Sequence, residues 1–145
     1  MGPDRRLAGT HDPRHTLGRR GEALAAEHLR RRGFTVLERN VRTARGEIDL
    51  IAFDPAASGG GGALVFVEVK TRRLVGVGRR PRADELPLAG LGVRQRARLR
   101  RLAAAWLADQ SRHRPSATTI RFDAVGVLLS DDGLPARIEH VESAW

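Results

Sequence analysis

The chain predicts an α/β fold: one mixed central sheet flanked by helices, in the order α-β-β-β-α-β-β. Three observations predict it. Helical periodicity recurs twice, over 17–32 and again from Val93, and apolar or alternating runs lie on either side of it. One of those runs, "ALVFVEVKT" from Ala63 to Thr71, is apolar on both faces except at Glu68 and Lys70, the pattern of a central strand. The length, 145 residues with 41% hydrophobic and 30% charged side chains, suffices for one buried core and not for two.

Each element has its own signals. The opening "MGPDRRLAGTHDPRHT" has no apolar run of the secretory type, and Arg6 stands where a myristoylation signal needs Ser or Thr. Residues 1–16 are therefore expected to be a flexible basic tail, and 17–145 a single domain. In "LGRRGEALAAEHLRRRG" the apolar Leu24, Ala25 and Leu29 recur at helical spacing, and Gly33 stops the helix. "FTVLERNV" alternates as a strand does, with Arg39 and Asn40 read as its end and Asn40 as a turn residue. "GEIDLIAF" is a second strand, apolar but for its acids, and "DPAASGGGG" a hairpin loop leading to the central strand. The stretch "RRLVGVGRRPRADELPLAGLG" has no period and reads as a long loop, a class that is usually functional or disordered. In the next helix Val93, Leu99, Leu102, Ala103, Trp106 and Leu107 form one stripe. "TTIRFDAVGVLLS" is a fourth strand, "DDG" a turn, and "LPARIEHVE" an edge strand with Pro135 at its start.

The net charge of +9 favours acidic partners, above all nucleic acid. No apolar run approaches the ~20 residues of a spanning helix, so a membrane is not expected as partner. The absence of cysteine excludes disulfides, thiolate metal sites and a Cys nucleophile, and fits a cytoplasmic location. His11, His15, His28, His113 and His140 lack metal-ligand spacing and read as surface residues. Two Trp, four Phe and no Tyr leave little for stacking bases, which counts against a single-strand stacking platform.

Of the 26 basic side chains, Lys70 is the one lysine; arginine supplies the others. Side chains alternate along a strand, so Glu68 and Lys70 share a face. If the second and third strands are neighbours through the glycine loop, a suitable register brings Asp49 to that face. Two carboxylates and an ammonium in a partly dry place are costly unless paired or holding a metal. The chemistry wanting this set is metal-assisted phosphodiester hydrolysis. Carboxylate oxygens suit Mg²⁺ or Mn²⁺, and the compact ammonium serves the attacking water or the charged transition state. Taken alone, a Glu-x-Lys pair is more often a surface ion pair worth ~0–1 kcal/mol. What sharpens the reading is that both charged sites interrupt apolar strands.

The blocks "RRGEALAAEHLRRRGFTVLERN", "GEIDLIA", "FVEVKTR" and "RFDAV" resemble the YraN family of endonucleases, in the PD-(D/E)XK nuclease superfamily with the archaeal Holliday-junction resolvases. The resemblance runs from about Leu17 to Trp145. It implies a restriction-endonuclease-like αβββαβ core. It also implies metal ligation by Asp49, Glu68, the Val69 carbonyl and Glu22, with Lys70 catalytic. Where the family pattern commonly has a lysine opening the arginine-rich helix, this chain has Gln95.

The expected function is a metal-dependent endonuclease acting on DNA rather than RNA, with branched or flapped DNA as substrate. Resolvases act as dimers, so a homodimer is an expected partner. The rival is a non-catalytic nucleic-acid-binding module on the same fold. Phosphate contacts are expected from Arg72, Arg73, Arg79 and Arg80 in the loop and from Arg94, Arg98 and Arg101 on the second helix. Glu47 is expected to support the ligands rather than bind the metal. Arg121 and Asp123 suggest an internal ion pair, and Trp145 a cap on the core or a contact for a partner.

Overall fold

The computed structural model describes residues 13–57, 59–76, 78–109, 114–117 and 119–144. Its elements are α1 (Pro13–Arg31), β1 (Thr35–Thr43), β2 (Gly46–Asp54), β3 (Ala63–Arg73), α2 (Val93–Ala108), β4 (Thr119–Leu129) and β5 (Pro135–Val141). The strands form one sheet in the order β1-β2-β3-β4-β5. β3 and β4 run parallel, joined across the α2 crossover, and the other neighbours are antiparallel. This is the mixed α/β fold that the sequence predicts, consistent with a restriction-endonuclease-like core. No described helix is long and apolar enough to cross a membrane.

The two faces of β3 explain the doubly apolar run. Val65 and Val67 pack with Leu24, Ala25, Ala26 and Leu29 of α1, whereas Leu64 and Phe66 pack with Leu99, Leu102, Ala103 and Trp106 of α2. Burying one large apolar side chain of this kind is worth about 1.5–3 kcal/mol. Trp106 is buried yet satisfied, because its indole Nε1 donates to Glu38 Oε2 at 2.6 Å.

Several expectations are corrected. α1 begins at Pro13 rather than Leu17, because proline suits the first helical turn, where its missing N–H is no loss. The remainder of the expected tail, 1–12, lies outside the described residues, as do His11, His113 and Trp145. Val93 does not join the apolar stripe; it is the first residue of α2 and 80% exposed. The long loop contains two single-turn 3₁₀ segments, Ala83–Glu85 and Pro87–Gly90.

Asn40 does not end its strand. It lies inside β1 in the left-handed region, with φ of 50°. The ladder pairs Arg39↔Leu50 and Val41↔Ile48 bracket Asn40 and Asp49. Across this point the buried residues change sides: Leu50 packs in the α1 cluster and Ile48 in the α2 cluster. Strict alternation would keep residues two apart on one face. The left-handed residue rotates the end of the hairpin, and Asp49 sits at the pivot.

His140 is not a surface residue, as its side chain is 1% exposed. Its Nε2 lies 2.9 Å from Asp123 Oδ2, and its ring stacks edge-on against His28 and Phe34. His28 is half-buried, and burial followed by the neighbouring His140 lowers its pKa. Arg121 grips Asp123 through two bonds of 2.8 and 3.0 Å and reaches Asp54 at 2.9 Å. The Ser143 amide also donates to Asp123. The RFD segment thus ties β2, β4 and β5 together from beneath α1.

Candidate active site

β2 and β3 are paired from Asp54↔Ala63 to Leu50↔Val67 and part beyond that point. Asp49 follows at the opening. Its Oδ2 accepts the Val69 N–H at 2.8 Å, so a carboxylate takes over where a strand carbonyl would otherwise bond. Next along β3, Glu68 Oε1 and Lys70 Nζ form an ion pair of 3.0 Å, their side chains 17% and 32% exposed. Burial, then the charge of Glu68, pushes the Asp49 carboxyl up to about 7, against the Val69 hydrogen bond and Lys70. Glu22 adds a smaller upward push. Asp49, Glu68, Lys70 and Glu22 are thus electrostatic neighbours, and Asp49 bears most of the cost.

Two close approaches place the flanking groups. A Cβ on Gly21 would lie 1.7 Å from Thr71 Oγ1, so α1 rests directly on β3 there and brings Glu22 to the opening. Burial raises the Glu22 pKa; a hydrogen bond from Asn40 opposes it, and the charge of Glu47 adds to it. Glu22 Oε2 is buried and has no hydrogen-bond partner. On the other side of β3 the parallel register sets Gly126 beside Lys70. A Cβ there would come within 2.9 Å of Leu88 Cγ and 3.1 Å of Pro87 Cβ. The 3₁₀ segment of the long loop therefore lies over β4, next to the strand that carries Lys70.

Among the described residues, no group of three Asp, Glu, His or Cys side chains is placed to hold a metal ion. A Mg²⁺ ion does not require such a group, since it keeps several waters and takes one or two carboxylates. The donor chemistry here fits such an ion. Burial and then the charge of Glu68 raise the Asp49 carboxyl, and Glu22 has an orphaned oxygen. In α2, half-buried Gln95 likewise has an unpartnered buried Oε1.

The expected phosphate-binding arginines separate into two groups. Arg79 is engaged, holding Glu85 through two bonds of 2.8 Å and the Val75 carbonyl. Arg72 donates to the Asp84 carbonyl. Both serve to shape the loop. Arg73, Arg80, Arg94, Arg98 and Arg101 are exposed. Arg98 lies against the β1–β2 hairpin, its Nη2 3.3 Å from where a Gly46 Cβ would stand. Sequence reasoning missed Arg14, Arg19 and Arg42, which gather with Glu22 and Glu47 around a cleft between α1 and β1. The signal was available only as scattered arginines, because no spacing relates α1 to β1.

A model of the uncharacterised protein family UPF0102 matches residues 21–127, a span that contains every acid of the site and Lys70. A UPF0102 protein of Acidothermus cellulolyticus is 42% identical, covering 96% of this chain and 100% of that protein. A UPF0102 protein of Streptomyces griseus is 46% identical over 88% of this chain and 93% of that protein. One of Mycobacterium avium is 44% identical over 87% of each. The chain belongs to family UPF0102, the YraN-like family that its sequence blocks resemble.

Proposed function

We propose that this protein is a metal-dependent endonuclease that hydrolyses phosphodiester bonds in DNA, with branched or flapped DNA as its substrate class. One observation carries the reading. At the opening between β2 and β3, two carboxylates are held together at electrostatic cost, and the one lysine of the chain is ion-paired to the second. A fold does not retain such a grouping for stability, since apolar residues there would cost less. Asp49 and Glu68 would hold Mg²⁺ or Mn²⁺, assisted by the Val69 carbonyl and by Glu22. When bound, the ion neutralises phosphate charge and lowers the pKa of a coordinated water.

The remaining steps belong to the chain. Lys70 directs its N–H groups at the attacking water and at the charge growing on the phosphoryl oxygens. Glu68 holds that ammonium in place through the 3.0 Å ion pair. The Val69 amide fixes one oxygen of Asp49, which would orient the carboxylate that is to hold the cation. Exposed arginines of α2 and of the loop attract the polyanion without reading its sequence.

The second reading, a non-catalytic binding module, is favoured by the lack of a group of three such side chains placed to hold a metal ion among the described residues. A cleavage panel decides between them. Purified protein is incubated with duplex, single-stranded, flapped and four-way DNA, with Mg²⁺, Mn²⁺ or chelator. Metal-dependent cleavage is expected, falling about 10²–10³-fold in Lys70→Ala while DNA affinity stays within twofold (about 0.4 kcal/mol). Binding without cleavage of any substrate leaves the module reading standing.

A further inference from the structure

The cleft between α1 and β1 encloses about 360 Å³ and borders Glu22, so it adjoins the opening where Asp49 sits. Arg14 and Arg19 come from the first turns of α1, Asn40 and Arg42 from β1, and Glu47 from β2. Arg42 faces Glu47 across the ladder, and Arg19 acts on Glu22 by charge. Among the described residues that line it, three arginines stand with two carboxylates. The first turn of α1 contains no acid, and the amide ends of a helix carry positive potential. A convex basic helix face is ordinarily just solvated. Here two elements close around a concave space beside the reacting position.

The size limits what enters. A space of about 360 Å³ is at the small-molecule end of binding pockets, on the scale of one nucleotide and not of a duplex. Among the described residues the cleft borders no aromatic ring other than that of His15, so charge and hydrogen bonding are what they offer an occupant. We infer that this cleft is a backbone subsite for an unpaired nucleotide next to the scissile phosphate, with Arg19 and Arg42 on its phosphate and Asn40 as a polar contact. The inference rests on the nuclease reading for the position of the scissile phosphate. It adds the substrate class: DNA with a single-stranded segment at the site, the duplex portion lying on the α2 side with Arg94 and Arg98.

The test measures binding, so that it stands apart from turnover. Lys70→Ala protein, without divalent metal, is titrated with a labelled single strand and with a labelled duplex across a salt series. Arg19→Ala/Arg42→Ala is expected to weaken single-strand binding several-fold. It should also reduce the slope of log K against log salt by about 1.4, from about 0.7 per phosphate contact. Duplex binding should change by less than half as much. Arg19→Lys/Arg42→Lys should restore most of the slope, and Arg30→Ala/Arg137→Ala, which removes the same charge from exposed positions elsewhere, should not reproduce the loss. Equal losses on strand and duplex, or no loss on either, overturn the subsite. Failure of the cleavage panel leaves this result unaffected, and failure here leaves the cleavage reading unaffected.

Discussion

At the residue scale, Asp49 is the position where the proposed function and stability oppose each other. Its pKa rises from 3.8 to about 7 on folding, through burial and then the charge of Glu68. Between those values the folded chain binds a proton that the unfolded chain has released, so stability falls as pH rises through the window. Above it the full cost is present. Asp49→Asn keeps an oxygen for the Val69 N–H and removes the charge. The variant is expected to be more stable than the parent at pH 8 by on the order of 2 kcal/mol, with the gain vanishing toward pH 4. Thermal unfolding in chelator at several pH values measures this, and parallel profiles for the two proteins would show that Asp49 is not strained. Adding Mg²⁺ should raise the midpoint of the parent at pH 8 and not that of the variant.

At the element scale, the site depends on how closely neighbouring segments approach. The long loop after β3 reads from sequence as unstructured, yet its Pro87–Gly90 segment packs on β4 because Gly126 has no side chain. Gly126→Ala would place a methyl 2.9 Å from Leu88 Cγ. Overpacking of this kind costs about 1–3 kcal/mol. The substitution should lower the unfolding midpoint by displacing the loop segment packed over β4. Adding Leu88→Ala should recover the midpoint, and a double variant no better than the single one would contradict the packing account. β1 teaches a related lesson. Its apolar-polar alternation marks a strand, but only Asn40 in its left-handed conformation reveals where the strand rotates.

At the scale of the whole molecule, the Arg121–Asp123–His140 network closes the far half of the sheet. Burial pushes the Asp123 carboxyl up, but His140, Arg121 and the Ser143 amide more than offset this and hold it below its usual range. A depressed carboxyl contributes stability above its unfolded value of about 3.9, and that contribution is lost as pH falls through the lower folded value. Asp123→Ala removes the carboxylate that Arg121, His140 and the Ser143 amide share and leaves Arg121 with Asp54, so a loss of about 3–5 kcal/mol is expected. Denaturant unfolding at pH 7 measures it. A loss below about 1 kcal/mol would show that the network orders the strands without stabilising them.

What the sequence determined by itself was the periodic part of the structure and the residues of the candidate site. Apolar spacing marks all seven main elements, because burial of a face imposes its period on the chain. Glu68, Lys70 and Asp49 are visible because charge inside an apolar strand is costly enough to require a purpose. The tertiary structure alone decided the rest. Arg79 is engaged by Glu85, His140 is buried on Asp123, and Arg19 and Arg42 come together across α1 and β1. None of these follows from spacing, since each depends on which segments meet in space. That is set by the packing of the entire core, and no local stretch encodes it.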